Sequence, residues 1–335
     1  MSMPQKIGLI LTGGGARAAY QVGVLKAIAE ILPRRAQSPF PIICGTSAGA
    51  FNAVTLAVYA QSFRLGVQYL EKMWKSFSAH DIYRADALGV FVNTARWLAG
   101  LILNGLGINK LNHVSLLDSS PLAALLDRAL PSEKIQENID AGMLHALSIS
   151  ASGYGTGQSV NFFQSVQGVQ PWQRARRLGI ATFIEAKQIL ASSAIPFIFP
   201  AVRINREYFG DGSMRQIAPI SPALHLGATK VLVIGTGQVD EKPNRSKVDD
   251  YPSLAKIAGH ALDSIFLDSL EADIERLSRI NKTIALVAAD VRQHLNLQHI
   301  DLLLISPSQS IEKIAGRHAG QLPLSIRFLD RKSVV

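Results

Sequence analysis

Cysteine is nearly absent from this 335-residue sequence: Cys44 is the single one, so no disulfide can form within the chain. Such usage is typical of a reducing compartment. Long hydrophobic runs are missing as well. The first apolar stretch is short and ends in glycines with no small-residue cleavage site, which predicts no secretory signal. No stretch reaches the roughly 20 uninterrupted apolar residues of a membrane span, so we expect a cytoplasmic protein.

Acidic residues are outnumbered and aromatic residues are few. The chain has 25 Asp and Glu against 34 Lys and Arg, which gives a net charge of +9, and its aromatic content is 7%. Positive charge suits either an anionic membrane surface or nucleic acid. The basic residues are scattered and no stacking aromatics lie between them, so we expect no nucleic-acid partner. No acid-rich loop resembles a calcium site, and we expect neither a metal nor a cofactor.

Short apolar runs alternate with amphipathic stretches in the first 60 residues. Residues 6–12 and 40–46 predict buried strands, and residues 16–32 and 48–60 predict helices. This order indicates an α/β fold in which helices cover a mainly parallel sheet through right-handed crossovers. Further strands are expected at 144–152, 159–165, 230–237 and 300–306, and further helices at 61–78, 118–130, 182–193 and 253–281.

Residues 86–108 form a second kind of apolar stretch. Asn93, Arg96 and Asn104 interrupt it, and its four glycines would loosen any helix. One interpretation is an ordinary helical hairpin over the sheet. The other is a cap or interfacial segment, lying in the headgroup region of a membrane without crossing it. Together with the basic surface, the second interpretation predicts peripheral membrane contact.

Ser47 is the central residue of the pentapeptide GTSAG, which matches G-x-S-x-G. A nucleophile at the top of a sheet needs a sharp turn with a crowded backbone, so Gly45 and Gly49 must lack side chains. The helix that follows points its first N–H groups toward a developing oxyanion. The predicted strand before Ser47 and helix after it are the setting this motif requires, and they favour a nucleophile over a simple tight bend.

The segment TGGGAR has the same strand-to-helix placement. Gly13, Gly14 and Gly15 leave their N–H groups bare and make a nest for an anion, which is either a nucleotide phosphate or the oxyanion of acyl transfer. A dinucleotide site prefers G-x-G-x-x-G, whereas position 18 is Ala and the second strand ends at Ser47. The oxyanion is therefore favoured. Arg17 either binds an anionic headgroup or braces the loop.

A serine nucleophile needs a base, and the segment YFGDGS presents Asp211 between two glycines. The alternative is an ordinary Asp-Gly hairpin turn. Asp211 can act as a base only if its site raises its proton affinity or if the serine is itself strongly activated, so the catalytic interpretation predicts partial desolvation of this carboxylate. The histidines lie in stretches without the character of an active-site loop, namely His80, His113, His145, His225, His260, His294, His299 and His318.

Four segments, taken in order, resemble the patatin-like phospholipases: GGGAR, GTSAG, ASSAIPFIFPAV (191–202), and the GDGS turn followed by IAPISPALHLGA. The resemblance covers most of residues 6–237 and implies a three-layer α/β/α sandwich that hydrolyses acyl esters of lipids with no catalytic histidine. It implies Ser47 as nucleophile, Asp211 as base and Gly13, Gly14 and Gly15 as oxyanion loop, with 191–202 near the acyl chain. Two positions depart from the family pattern. Ala18 stands where the family usually has glycine, and Ser213 stands where it usually has glycine or alanine.

We expect two parts in the chain. The resemblance implies a catalytic domain over 1–237, and the apolar patterns of the helix at 253–281 and the strand at 300–306 predict that 238–335 is an extension packing on it. The expected function is hydrolysis of a phospholipid or another acyl-ester lipid through an acyl-enzyme. Alternatives are an acyltransferase or thioesterase on the same scaffold, and a lipid-binding module without activity.

Overall fold

The computed structural model describes residues 6–78, 81, 115, 117–237, 254–288, 291 and 298–317. Its strands are β1 (Ile7–Leu11), β2 (Ile42–Thr46), β3 (Ala146–Gly153), β4 (Ser159–Ser165), β5 (Trp172–Arg174), β6 (Arg177–Ala181), β7 (Val202–Ile204), β8 (Glu207–Asp211), β9 (Lys230–Ile234) and β10 (Asp301–Ile305). Its helices are α1 (Ala19–Ile31), α2 (Ala48–Val58), α3 (Phe63–Ser76), α4 (Ser120–Ala129), α5 (Glu133–Asp140), α6 (Ala186–Ser192), α7 (Ser221–His225), α8 (Leu254–Leu286) and α9 (Ile311–Gly316), with short 3-10 helices at Gly15–Ala18 and Gly212–Arg215. The apolar segment 86–108 lies outside the described residues.

The described strands form one sheet in the order β10-β9-β1-β2-β3-β4-β6-β5. The run from β10 to β3 is parallel throughout. β4 is antiparallel to β3, and the β7–β8 hairpin joins the sheet where β8 pairs antiparallel with the end of β3. The prediction of a mainly parallel sheet is confirmed, and the antiparallel part is the addition that brings Asp211 to the sheet.

Helices cover both faces of this sheet. Successive strand residues point to opposite faces, so Leu9 and Leu11 join the core formed with α1 to α6, while Ile10 joins the core formed with α7 and α8. Central strands therefore bury both of their faces, and all five residues of β2 are buried. This arrangement confirms the predicted three-layer α/β/α architecture.

The predicted elements differ from the observed ones mainly at their ends. The helix expected over 182–193 begins at Ala186, because Glu185 caps it. The Gln188 side chain accepts the backbone N–H of Glu185 at 2.9 Å, and the Glu185 carboxylate accepts the backbone N–H of Gln188. Sequence patterns did not indicate β5 to β8, α5, α7 or α9. Those strands are short and mix buried with exposed positions, so they lack the continuous apolar run of the central strands.

Helix α8 and strand β10 belong to the same packed unit as the sheet. β10 pairs residue for residue with β9, and Leu277 of α8 is buried against the face opposite α1. Asp273 of α8 accepts the Ile220 N–H at 3.0 Å. α8 extends to Leu286, beyond the predicted end at 281. Among the described helices none combines the length and the apolar character that crossing a bilayer would require.

Candidate active site

Ser47 occupies the turn between β2 and α2 with φ of 54°, a left-handed conformation that side-chain-bearing residues rarely adopt. A Cβ on Gly45 would lie 2.6 Å from the Cβ of Ala53, and a Cβ on Gly49 would lie 2.6 Å from the Thr12 carbonyl oxygen. The two glycines therefore allow the backbone to turn sharply and α2 to approach the end of β1. The pentapeptide forms a strained strand-to-helix turn that presents the Ser47 side chain.

The hydroxyl of Ser47 donates a hydrogen bond of 2.6 Å to Oδ2 of Asp211. The two residues are 164 positions apart, yet Asp211 ends β8, which pairs with the last residues of β3, and β3 adjoins β2. Ser47 is 2% exposed and Asp211 is fully buried. Strand order therefore converts two distant glycine-flanked residues into one enclosed pair.

Burial raises the pKa of Asp211 from its ordinary 3.8 to about 6. Hydrogen bonds from the Ser47 hydroxyl and the Ser213 amide oppose this shift, since each stabilises the carboxylate; the Ser213 N–H reaches Oδ1 at 2.8 Å. The desolvation that sequence reasoning requires of Asp211 is present. At neutral pH the carboxylate is ionised, with a proton affinity well above that of an exposed aspartate.

The end of α6 contacts both members of the pair. The Ser192 hydroxyl accepts the Ser47 N–H at 2.8 Å, and the Ala194 carbonyl accepts the Asp211 N–H at 2.9 Å. The family resemblance implies that 191–202 lies near an acyl chain, which stays a prediction, and the sequence does not indicate that this segment supports the pair. The only available signal was its run of small residues, which permits such a close approach.

The Asp211 turn is held from its other side by Gln216, which sequence reasoning also missed. Its Nε2 donates to Oγ1 of Thr46 at 2.7 Å and to Oγ of Ser150 at 3.2 Å, so it joins the turn to β2 and β3. A Cβ on Gly212 would lie 2.7 Å from the Ser150 carbonyl carbon. The glycine after Asp211 is therefore needed because the turn is pressed against the β3 backbone.

The glycine loop leaves β1 beside the serine turn, since Leu11 is the register partner of Gly45. Gly14 and Gly15 have φ of 148° and 55°, and a Cβ on Gly14 would collide with the Thr236 hydroxyl. That hydroxyl donates to the Gly13 carbonyl at 2.6 Å. The loop therefore packs at the same sheet edge as Ser47, in a conformation that requires glycine.

Arg17 lies against this loop. Its backbone N–H donates to the Gly14 carbonyl at 3.1 Å, and its Nε reaches the same oxygen at 3.5 Å. Both contacts agree with the bracing role that sequence reasoning considered for Arg17. Contact with an anionic headgroup stays a prediction.

The three histidines whose side chains the structure describes have partners away from the Ser47–Asp211 pair. His145 Nε2 lies 3.1 Å from Lys6 Nζ, the His225 ring stacks on Trp172, and His299 Nδ1 lies 3.4 Å from Asp301. Within the same described part of the chain, no three His, Cys, Asp or Glu side chains cluster as metal ligands. Among the described residues, the titratable side chain that contacts Ser47 is therefore the Asp211 carboxylate.

The chain is similar to parts of two known proteins, and one family model matches it. A protein of Pseudomonas aeruginosa called cGAMP-activated phospholipase is 26% identical over 238 residues, which are 68% of this chain and 61% of the relative. Lysophospholipase nte1 of Aspergillus terreus is 51% identical over 57 residues, 17% of this chain and 3% of that protein. The chain therefore spans only part of each relative. The family model described as patatin-like phospholipase matches residues 9–224, and the chain belongs to that family.

Proposed function

We propose that this protein is a lipid acyl hydrolase that cleaves phospholipid esters with Ser47 as nucleophile and Asp211 as base. The observation that carries the proposal is the buried 2.6 Å hydrogen bond from the Ser47 hydroxyl to Asp211. A hydroxyl is a weak nucleophile until a neighbouring base takes its proton, and burial raises the pKa of this carboxylate to about 6. The pair thus has both the contact and the basicity that acyl transfer needs.

Acylation begins when Ser47 Oγ attacks the ester carbonyl carbon and its proton moves to Oδ2 of Asp211. The carbonyl electrons move to the oxygen, which becomes the oxyanion of a tetrahedral intermediate. As that intermediate collapses, the bond to the alcohol oxygen breaks and Asp211 returns its proton to the leaving alkoxide. A lysolipid or another alcohol leaves, and the acyl group stays on Ser47.

Deacylation repeats these steps with water. Asp211 accepts a proton as the water oxygen attacks the acyl carbon, and a second oxyanion forms. When the bond to Ser47 breaks, Asp211 gives the proton back to Oγ and the fatty acid is released. Asp211 thus ends the cycle ionised and Ser47 ends it protonated, as they began.

We assign stabilisation of the oxyanion to the loop of Gly13, Gly14 and Gly15, with Arg17 as a brace. The loop lies beside the serine turn, and amide donors at fixed positions stabilise a developing negative charge without reorganisation. The first turn of α2 adds the positive end of its dipole next to Ser47. Both supports are backbone groups.

The family and the names of the two relatives support a phospholipid as the substrate. The net charge of +9 supports attraction to anionic headgroups at a membrane surface. We propose a peripheral contact made by basic residues and by the apolar segment 86–108. Co-sedimentation should then favour vesicles containing phosphatidylglycerol over pure phosphatidylcholine, and the preference should weaken with salt.

The test compares Ser47→Ala with Ser148→Ala on a p-nitrophenyl ester and on phospholipid vesicles. Ser148 is a matched control because it is also fully buried, on β3, and its hydroxyl has no hydrogen-bond partner within the described structure. We expect Ser47→Ala to lose turnover and labelling by a fluorophosphonate, and Ser148→Ala to keep both. Full turnover by Ser47→Ala would exclude the proposed nucleophile.

The same assays separate the alternatives. Labelling of Ser47 excludes a binding module without activity, because a fluorophosphonate reacts with an activated serine. If added lysolipid or alcohol captures most of the acyl group, the protein is a transferase. If thioesters react and oxygen esters do not, it is a thioesterase. Release of free fatty acid from vesicles supports the hydrolase.

A further inference from the structure

A chain of hydrogen-bonded side chains connects the glycine loop to three helices. It consists of Gln21 on α1, Asn52 on α2 and the partly buried Trp74 on α3. Gln21 and Asn52 are both fully buried. Polar groups so enclosed must find partners inside the protein, so their hydrogen bonds specify which backbone groups they hold.

Gln21 holds the beginning of the loop. Its Nε2 donates to the Thr12 carbonyl at 2.8 Å and to the Ile234 carbonyl at 3.2 Å. Thr12 directly follows β1, and Ile234 ends β9, the parallel neighbour of β1. One side-chain amide thus joins the two strand ends between which the glycine loop leaves the sheet.

Asn52 holds the other end of the loop. Its Nδ2 donates to the Ala18 carbonyl at 3.3 Å and to Oε1 of Gln21 at 2.9 Å. The indole N–H of Trp74 donates to Oδ1 of Asn52 at 2.8 Å. Each polar atom of the two amides is therefore occupied, and the loop is tied at both Thr12 and Ala18.

The partners also determine how both amides are oriented. The Gln21 nitrogen faces two carbonyl oxygens, and Trp74 supplies a donor that only the Asn52 oxygen can accept. Rotating either amide by half a turn would oppose donor to donor or acceptor to acceptor. The three side chains therefore have one favourable arrangement rather than two.

Three successive glycines lack side chains with which to hold their own conformation, and glycine samples more backbone conformations than other residues. The conformation of such a loop must come from its surroundings. We propose that Gln21 and Asn52 are positioning residues that keep the amides of Gly13, Gly14 and Gly15 directed at the oxyanion, with Trp74 orienting Asn52. This inference rests on the oxyanion role proposed above.

The test replaces the amides with apolar side chains, in Gln21→Met and Asn52→Leu. We expect kcat to fall between about 10-fold and 100-fold, with KM within twofold of wild type, because a misplaced loop loses transition-state contacts more than ground-state ones. The rate of fluorophosphonate labelling should fall by a similar factor. The inflection of the pH profile should stay in place, because neither residue contacts Asp211.

Asn138→Leu is the matched control. Asn138 is a buried amide whose Nδ2 donates to the Ala57 and Val58 carbonyls, at 2.8 and 2.9 Å, so it holds the opposite end of α2. The variant removes two amide-to-carbonyl hydrogen bonds that join α5 to α2, away from the glycine loop. We expect its melting temperature to fall like that of Asn52→Leu while its kcat stays within twofold of wild type.

Trp74→Phe keeps an aromatic ring at the edge of the network and removes one donor. It serves as the test if the amide variants do not fold, and we expect a smaller fall in kcat with KM unchanged. The positioning role is wrong if all folded variants keep kcat within twofold while losing stability as Asn138→Leu does. If wild type itself neither turns over esters nor reacts with the fluorophosphonate, the proposed function fails instead.

Discussion

The two halves of the site are built in opposite ways. The glycine loop and the serine turn follow adjacent parallel strands, and both lie within the first 50 residues. Asp211 comes 164 positions after Ser47, at the end of an antiparallel hairpin strand. The first half is a pair of backbone turns. The second half is one titratable side chain, which the pairing of β8 with β3 places beside Ser47.

The first half of the site therefore sets the backbone geometry, and the second half sets the basicity of the carboxylate. Gly14, Gly45 and Gly49 act through the side chains they lack, since each allows a close approach that a Cβ would block. Asp211 acts through its enclosure, since burial is the main cause of its raised pKa. Mutations in the first half should therefore change turnover by the same factor at all pH values. Mutations at Asp211 should change the pH dependence of turnover.

Asp211→Asn should have the largest effect on turnover. The amide fills the same space and can accept the Ser213 N–H, but it cannot take a proton from Ser47. We expect kcat/KM to fall by roughly 10⁴-fold, the size of the loss when the aspartate of a Ser-His-Asp triad is replaced by asparagine. Initial rates on a p-nitrophenyl ester measure this, and a loss of less than tenfold would assign the base elsewhere.

The same variant should gain stability at neutral pH. Below about pH 4 Asp211 is protonated in both native and unfolded chains, and above about pH 6 it is ionised in both, but the native state binds the proton more tightly. Wild type thus loses stability as pH rises across this window, by on the order of 3 kcal/mol. We expect urea unfolding at pH 4 and pH 7 to show that the free energy of unfolding of Asp211→Asn exceeds that of wild type by more at pH 7 than at pH 4.

Gly14→Ala should have the next largest effect. Its φ of 148° and the Thr236 hydroxyl leave no room for a methyl group, so the loop must move. We expect kcat to fall by roughly 10²-fold, the usual cost of losing one oxyanion donor. Thr236→Ser keeps the hydroxyl that holds Gly13, and it should retain most activity in the same assay.

The pH profile of wild type is a smaller and more specific effect. Only the ionised form of Asp211 can accept the Ser47 proton, so kcat/KM should rise about tenfold per pH unit on the acid side and level off above about pH 6. Gly14→Ala should reduce the plateau without moving the inflection. An inflection near pH 4 would mean that Asp211 is solvated when it works.

Gly23→Ala should have the smallest effect and the opposite sign. Gly23 lies within α1, and a Cβ there would meet nothing within 4 Å. Alanine favours the helix by up to about 1 kcal/mol, so the variant should melt at a higher temperature with unchanged turnover. Loss of activity in this variant would mean that α1 must change conformation during turnover, and it would weaken the contrast with Gly14.

Much of the first half of the site could be predicted because its signals are local. An apolar β-branched run followed by GTSAG predicted both the strand and the turn that places Ser47 at its end, and the glycines at 13–15 predicted a second turn at the same edge. The supports were not predictable in this way. Gln21 and Asn52 lie on helices among buried residues, and Ser192 lies in a run of small residues, so nothing in their own neighbourhoods marks a hydrogen bond to the site.

The sequence alone determined the parallel α/β core and the two glycine-rich turns, because these depend on residues within a few positions of one another. It also determined the family resemblance, through the order of four short segments. Only the tertiary structure decided that Asp211 touches Ser47 and that its pKa rises to about 6. Pairing of β8 with β3 sets the contact, and enclosure by several segments sets the desolvation. Both depend on which distant strands become neighbours, and local patterns of residues do not carry that information.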